Sequence, residues 1–297
     1  MSSSSAASYL NFVDRQINIY CGFSILIIGT IGAILNNLVF LSLQTFRQNS
    51  CAFYLTIMSI ASIGQLYTGL LSRILISGYG IDWTTTSLFY CKFRLLFFQF
   101  CTLISYTSLC LATIDHYLAT CSHPRWQQWS NIKLARRLTL GSIIIWTLHS
   151  ILYIILFVQV KSPTTGAVIC TTTNPIFTVY RVYIVGLVPG DFLPLIITVV
   201  FGLLAYQNVR QLAHRTVPLA RRELDKQLSK MVLAQVLLNF FTNSPFAVIN
   251  VLINNPKITN DAVVWAKIQL AYGITLMFFY SHFAVSDRRV SITSIVH

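Results

Sequence analysis

The chain has 297 residues, of which 55% are hydrophobic and only 10% are charged, and its mean hydropathy is +0.66. Because soluble domains carry about 25% charged residues, this composition excludes a disordered chain and argues against an ordinary soluble protein. The net charge of +13 does not indicate a nucleic-acid partner, because the basic residues lie between apolar segments rather than on one face.

Seven long segments that are nearly free of charged residues follow one another along the chain. Each is long enough to cross a bilayer core, which takes roughly 20 apolar residues in a helix. The predicted helices cover residues 18–43, 52–77, 88–120, 135–159, 179–210, 224–253 and 262–285. The sequence therefore predicts an all-α membrane protein, a seven-transmembrane helix bundle that contacts the lipid bilayer.

The basic residues predict the orientation, because cytosolic loops of membrane proteins are enriched in Lys and Arg. With the N terminus extracellular and the C terminus cytoplasmic, 13 of the 21 basic residues fall on the cytosolic side: Arg47, Arg125, Lys133, Arg136, Arg137, Arg210, Arg215, Arg221, Arg222, Lys226, Lys230, Arg288 and Arg289. We therefore expect a short extracellular tail over 1–17, a membrane domain over 18–286 and a cytoplasmic tail over 287–297.

Two of the seven cysteines fall where the predicted topology faces an oxidising compartment. Cys91 precedes the third helix, and Cys170 lies in the loop after the fourth. We expect a disulfide between them, the alternative being two unrelated thiols. The motifs CxxC, HExxH, GxSxG and the P-loop are absent from the sequence, so it predicts no metal site, no cofactor and no catalytic residue.

A short motif at the inner end of the third helix indicates a family. Asp115-His116-Tyr117 follows Cys91 by 24 residues, and Pro194 interrupts the fifth helix. This pattern resembles the rhodopsin-like (class A) G-protein-coupled receptors, which carry Asp-Arg-Tyr at that distance from a helix-three cysteine. Two further landmarks of that family match in helices four and six, namely Trp146 and Pro245.

The resemblance implies a function. Members of this family are cell-surface receptors of the plasma membrane rather than enzymes. They bind an extracellular ligand and transmit a conformational change to heterotrimeric G proteins. By the same resemblance, Asp115, His116 and Tyr117 form the G-protein-coupling motif. Pro245 is expected to kink helix six, because proline removes a backbone hydrogen bond.

His116 is the most consequential departure from the family pattern, because it replaces an arginine. Imidazole is shorter, cannot form a bidentate fork and has an ordinary pKa of about 6.5. A lock between His116 and Asp115 would therefore be weak and pH-sensitive. Two interpretations stay open: coupling is altered or independent of G proteins, or it persists through other contacts.

Three other family switches also differ. Ser62 stands where the family has an aspartate that holds sodium, and Asn243 stands where tryptophan is usual. The Asn-Pro-x-x-Tyr pattern of helix seven is absent; Tyr280 is assigned to its tyrosine, with Leu276-Met277 in place of Asn-Pro.

Asparagines within the spans should face the bundle, because an amide is costly against lipid. Those in helix six are Asn239 and Asn243. Either Asn36 or Asn37 is the family's helix-one asparagine, and both assignments stay open.

Five residues near the outer ends of the helices are candidates for a ligand pocket: Arg73, Arg94, Phe98, Gln99 and Asp191. A charge inside a span is a functional-site hypothesis by default. Asp191 therefore binds a ligand or forms an internal salt bridge with Arg73 or Arg94. The mixed charge favours a peptide end or another charged ligand, and the chain resembles the neuropeptide-receptor branch of the family.

Three other functions were weighed. A receptor fold that binds or scaffolds without coupling to G proteins fits the altered switches. A transporter or channel would line a path with intramembrane charges, but only Asp191 lies well inside a span. A membrane enzyme would need clustered acidic and histidine side chains, whereas His149 and His282 are isolated in the sequence.

Overall fold

The computed structural model describes residues 3–42, 48–161, 166–212, 219–253 and 262–285. Within these ranges, seven helices are long and apolar enough to cross a membrane, as predicted. We label them α1 (Ser3–Ser42), α2 (Ser50–Tyr79), α3 (Leu88–Thr120), α4 (Ile132–Leu156), α5 (Pro175–Val179, continuing through two π-helical turns into Leu193–Leu212), α6 (Leu219–Ile253) and α7 (Ala262–Val285). The tail predicted over 287–297 lies outside the described residues.

The helix bounds of α2 to α7 differ from the predicted ranges by five residues or fewer, but α1 differs more. It begins at Ser3, within the segment predicted as a tail over 1–17. Residues 3–21 contain neither glycine nor proline, so no residue there ends the helix. The added turns also make a tertiary contact, because Arg15 Nε donates a hydrogen bond to the Gly78 carbonyl at 2.7 Å.

Two helices change to π-helical turns on the side of the bundle that carries Cys91. In α2 these turns are Leu66–Leu71 and Ile74–Tyr79, and in α5 they are Tyr180–Val185 and Val188–Phe192. In the second turn of α5, Pro189 cannot donate a backbone hydrogen bond, which interrupts the α-helical ladder. Turns of this kind are frequent at functional sites, because they redirect side chains.

A short β-hairpin follows α4. Its strands, β1 (Phe157–Lys161) and β2 (Val168–Thr172), pair antiparallel with Gln159 opposite Cys170. The Gln159 amide donates to the Thr84 carbonyl at 2.7 Å, which holds the hairpin against the segment before α3. We call this side of the bundle the disulfide end, and the opposite side, where α3 carries its Asp-His-Tyr motif, the Asp115 end.

The interior contains two large apolar clusters stacked along α3 and a smaller one where α4 meets the hairpin and the start of α5. One large cluster lies toward the Asp115 end and includes Tyr54, Met58 and Leu109, while the other joins α1, α2, α3 and α7 around Leu70 and Phe283. Large apolar side chains are exposed on the outside of α1, α4 and α5, which is the expected arrangement for a bundle surrounded by lipid.

Small residues set the distance between α1 and its neighbours, as is common at helix interfaces in membranes. At Gly29, an added Cβ would lie 2.8 Å from the Ala284 Cβ and 2.8 Å from the Leu66 Cδ1. Backbone atoms of α7 are also within 3.0 Å, so a flexible side chain alone cannot relieve the clash. The glycine is therefore required for this packing.

We expect Gly29→Ala to destabilise the bundle by about 1–3 kcal/mol, because it overpacks the junction of three helices. The measurement is the free energy of unfolding in mixed detergent micelles. Gly141→Ala is the matched control in α4, where nothing lies within 4 Å of the added Cβ. A Gly29→Ala variant as stable as the Gly141→Ala variant would contradict the packing described above.

Candidate functional site

The predicted disulfide between Cys91 and Cys170 is confirmed. Their Cα atoms are 5.9 Å apart, and none of the other five cysteines forms a disulfide. The bond joins β2 to the first turn of α3, which begins at Leu88 with Ser87 as its capping residue. It thereby fixes the hairpin at one end of the bundle.

A cavity of about 270 Å³ opens between α2, α3, α5, α6 and α7 at the disulfide end. All five residues proposed from the sequence as pocket residues line it, namely Arg73, Arg94, Phe98, Gln99 and Asp191. Its wall also contains residues that the sequence did not single out for a pocket, including Tyr106, Arg181, Phe246 and Tyr272. Two predicted switch residues, Asn243 and Tyr280, contribute to the same wall.

Arg73 is held in place by α1 and α7. Its Nε donates to the Asn18 side chain at 3.2 Å, and its guanidinium lies 4.0 Å from an Asp14 carboxylate oxygen. The same guanidinium lies 5.6 Å from the centre of the Tyr272 ring, within the range of a cation–π contact. The guanidinium of Arg73 is therefore largely occupied by contacts within the protein.

The other two arginines of the cavity have more free donors. Arg94 Nε donates to the Thr68 carbonyl at 3.3 Å, and its other guanidinium nitrogens have no hydrogen-bond partner among the described residues. Arg181 lies in the first π-helical turn of α5, and its buried Nε likewise finds no acceptor within the described part of the chain. Both can donate to a bound group.

Asp191 is buried in the wall formed by α5, with 6% of its surface exposed. Neither an ion pair nor a hydrogen bond reaches its carboxylate from any residue that the structure describes. The alternative of an internal salt bridge to Arg73 or Arg94 is therefore not realised. Its place in the π-helical turn Val188–Phe192 directs it into the cavity.

The floor of the cavity is polar and joins α3 to α6. The Asn243 amide donates to the Tyr106 hydroxyl at 2.6 Å and to the Asn239 side chain. The Tyr106 ring packs against His282 of α7, with their centres 5.9 Å apart. A rearrangement of the cavity floor can therefore be transmitted through Tyr106 to α3, α6 and α7.

At the Asp115 end, the carboxylate of Asp115 is bound by hydroxyl groups. It accepts hydrogen bonds from Ser50 Oγ at 2.6 Å and from Ser130 Oγ at 3.1 Å, which link α3 to the start of α2 and to the segment before α4. His116 is 1% exposed, and its Nε2 has no partner among the described residues. The lock between His116 and Asp115 that the sequence suggested does not form, and both serines bond to the carboxylate oxygen Oδ2.

The sequence pattern, the bundle and the disulfide all agree with one family of membrane receptors. The family model of the seven-transmembrane receptors of the rhodopsin family matches residues 34–285. This chain belongs to that family. Members of the family are receptors rather than enzymes. No significant match occurs among curated proteins, and the neuropeptide-receptor branch stays a prediction.

Tyr280 does not lie where its assignment to the Asn-Pro-x-x-Tyr tyrosine would put it. An added Cβ at Gly69 would lie 2.7 Å from the Tyr280 hydroxyl and 2.9 Å from the Phe98 ring. Phe98 precedes Asp115 by 17 residues, which is roughly 25 Å along a helix. Tyr280 is therefore a wall residue of the cavity, far from the coupling motif.

The remaining predicted switches pack within the receptor. Ser62 is buried and donates to the Met58 carbonyl of its own helix at 2.8 Å. Tyr117 packs against Phe201 of α5, with ring centres 5.5 Å apart. Pro194 and Pro245 lie inside α5 and α6, and α6 is continuous through its proline.

The helix-one asparagines also have partners in the receptor. Asn37 donates to Ser59 Oγ at 3.3 Å, which joins α1 to α2. Asn36 is buried, as are Asn239 and Asn243 of α6. The expectation that span asparagines face the bundle therefore holds for these four side chains, of which Asn37 is the least buried.

We expect Ser50→Ala to lower the stability of the receptor by about 1.5–3 kcal/mol, because it removes a hydrogen bond to a buried carboxylate. The midpoint of thermal unfolding in detergent measures the change. Ser142→Ala is the control, since that hydroxyl bonds only to the Leu138 carbonyl of its own helix at 2.9 Å. Equal midpoints for the two variants would show that Ser50 does not stabilise Asp115.

Proposed function

We propose that this protein is a plasma-membrane receptor that binds an extracellular ligand in the cavity at the disulfide end and signals to heterotrimeric G proteins. The observation that carries the proposal is the cavity itself. It lies among five helices and contains a buried carboxylate and several guanidinium donors in a rhodopsin-family bundle. A ligand that contacts these groups differently in two arrangements of the helices shifts the equilibrium between them.

Two observations support an extracellular disulfide end. Disulfides persist in oxidising compartments, and the Cys91–Cys170 bond lies at this end. The opposite end is basic between α3 and the start of α4, with Arg125 in the joining segment and Lys133 and Arg136 in the first turns of α4. The positive-inside rule assigns such a segment to the cytosol.

The size and the polarity of the cavity favour a small charged ligand or the end of a peptide. Its volume of about 270 Å³ is slightly below the range usual for small-molecule pockets. A longer peptide would therefore insert only one end, with the rest lying near the hairpin of β1 and β2. We favour a peptide-like ligand for this reason.

The path to the G protein runs along α3. Tyr106 contacts the cavity and bonds to Asn243 of α6, and Asp115 follows Tyr106 by nine residues, roughly 14 Å of helix. Movement of α6 relative to α3 would alter the surface beside His116. In this proposal G proteins bind at that surface.

One observation favours the alternative of a receptor fold that binds its ligand without coupling. The buried His116 makes no bond to Asp115, and an imidazole reaches less far than the arginine usual in the family. Whether coupling occurs is therefore the property to test first.

We expect the native receptor to accelerate nucleotide exchange on at least one heterotrimeric G protein above the rate in empty membranes. His116→Arg should raise the rate further, because the longer guanidinium can reach the bound protein. The assay compares membranes that contain equal amounts of surface-verified receptor with a panel of G proteins.

The matched control is His123→Arg, which makes the same chemical change at an exposed position between α3 and α4. Its exchange rate should equal that of the native receptor. Exchange at the level of empty membranes for both the native and the His116→Arg receptor would overturn coupling. The non-coupling alternative would then be favoured.

A further inference from the structure

The charges of the cavity are separated rather than paired. Arg94 lies beside α2, where its Nε donates to the Thr68 carbonyl. Asp191 lies on α5, in the π-helical turn Val188–Phe192. No ion pair connects Asp191 to an arginine within the described residues. The cavity therefore contains basic and acidic groups that are not paired with each other, although Asp191 shares α5 with Arg181.

Neither charge is satisfied by the protein alone. Asp191 is 94% buried with no hydrogen-bond donor, and burying an unpaired carboxylate is costly. The terminal guanidinium nitrogens of Arg94 are also free among the residues described. In a membrane span, such groups persist where they face an aqueous cavity or a bound partner.

From this arrangement we propose that the group bound in the cavity is dipolar, with a carboxylate held by Arg94 and a cationic nitrogen held by Asp191. This inference rests on the proposed receptor function and names its ligand class. The ligand is a free amino acid, a very short peptide, or the terminal residue of a longer peptide whose carboxylate and cationic group both enter the cavity.

The role of Arg73 differs from that of Arg94. Asp14 and Asn18 fix its guanidinium, and Gly273 leaves room for Asp14, because an added Cβ there would overlap the carboxylate. Arg73 therefore contributes fixed positive charge to the wall while Arg94 keeps donors for the ligand. A planar guanidinium with two adjacent donors suits a carboxylate, which it binds in a bidentate manner.

The size of the cavity limits the bound group. The cavity volume of about 270 Å³ lies slightly below the range usual for small-molecule pockets. We therefore expect the cavity to admit a group of about the size of one amino acid rather than a whole longer peptide. The aromatic side chains of the wall, Phe98, Phe246 and Tyr272, supply apolar surface for its carbon atoms.

The test measures ligand-induced shifts in the melting temperature of the purified receptor in lipid nanodiscs, without any G protein. The probes are pooled L-amino acids, pooled dipeptides and pooled pentapeptides. Each pool is supplied as the free zwitterion, with an amidated C terminus and with an acetylated N terminus. The free forms represent the dipolar group, and each capped form removes one of its two terminal charges.

We expect at least one free pool to raise the melting temperature and its capped forms to fail or to bind about ten- to hundredfold more weakly. The pentapeptide pools separate a peptide end from a small metabolite. A pentapeptide is too large to enter whole, so a shift by the free pentapeptides identifies the terminal residue as the bound group. In that case the cationic nitrogen belongs to the side chain of the C-terminal residue, so amidation but not acetylation of the pentapeptides should abolish the shift.

Single substitutions then assign each charge to its partner. Arg94→Gln should remove the preference for the free C terminus over its amide, and Asp191→Asn should remove the preference for the cationic nitrogen. Lys267→Gln is the matched control, because Lys267 is exposed on α7 and does not line the cavity. If a variant fails to fold, the comparison of free and capped probes on the native receptor still tests whether the ligand is dipolar.

The proposal is overturned if no free pool shifts the melting temperature, or if the amidated form of a pool binds as well as its free form. Because no G protein is present, binding by a receptor that fails to drive nucleotide exchange would support the dipolar ligand and refute coupling. Nucleotide exchange by a receptor that binds none of the pools would support coupling and refute the dipolar ligand.

Discussion

The rest of the structure depends on one constraint, which is that the bilayer core offers no hydrogen-bond partner to a polar group. The bundle meets this constraint internally for several of its buried polar groups. Asn243 bonds to Tyr106, Arg73 is held by Asp14 and Asn18, and Asp115 is held by two serines. Each contact joins different helices, so the groups that would be costly against lipid also determine how the helices pack.

These contacts place α3 at the centre of the receptor. Its first turn carries the disulfide, its middle forms the cavity floor through Tyr106, and its last turns hold Asp115. In the proposed function, a ligand that alters the floor would act on the same helix that carries Asp115. The serine contacts to Asp115 fix α3 to its neighbours, and His116 takes no part in those bonds.

Much of this arrangement can be predicted from the sequence. Long intervals between charges define the spans, and the number of residues after Cys91 gives the position of a residue along the axis of α3. The same spacing brings Arg94, Phe98 and Gln99 to the cavity. The serines at 50 and 130 could not be found this way, since serine is common and only the tertiary fold brings both to Asp115. Arg181 was missed because it lies next to a loop-like segment, and Tyr280 was misplaced because α7 has no proline landmark.

The π-helical turns explain why regular α-helical spacing does not predict the directions of the side chains in the cavity wall. A π-helical turn includes an additional residue, so every side chain beyond it is rotated relative to a regular α-helix. Two such turns precede Leu193 in α5, and Arg181 and Asp191 each lie within one of them. A regular helix would present these two side chains in other directions. The irregular backbone therefore gives the wall both its buried carboxylate and the unpaired Nε of Arg181. The ligand chemistry that we propose for this receptor rests on that local departure from α-helical geometry.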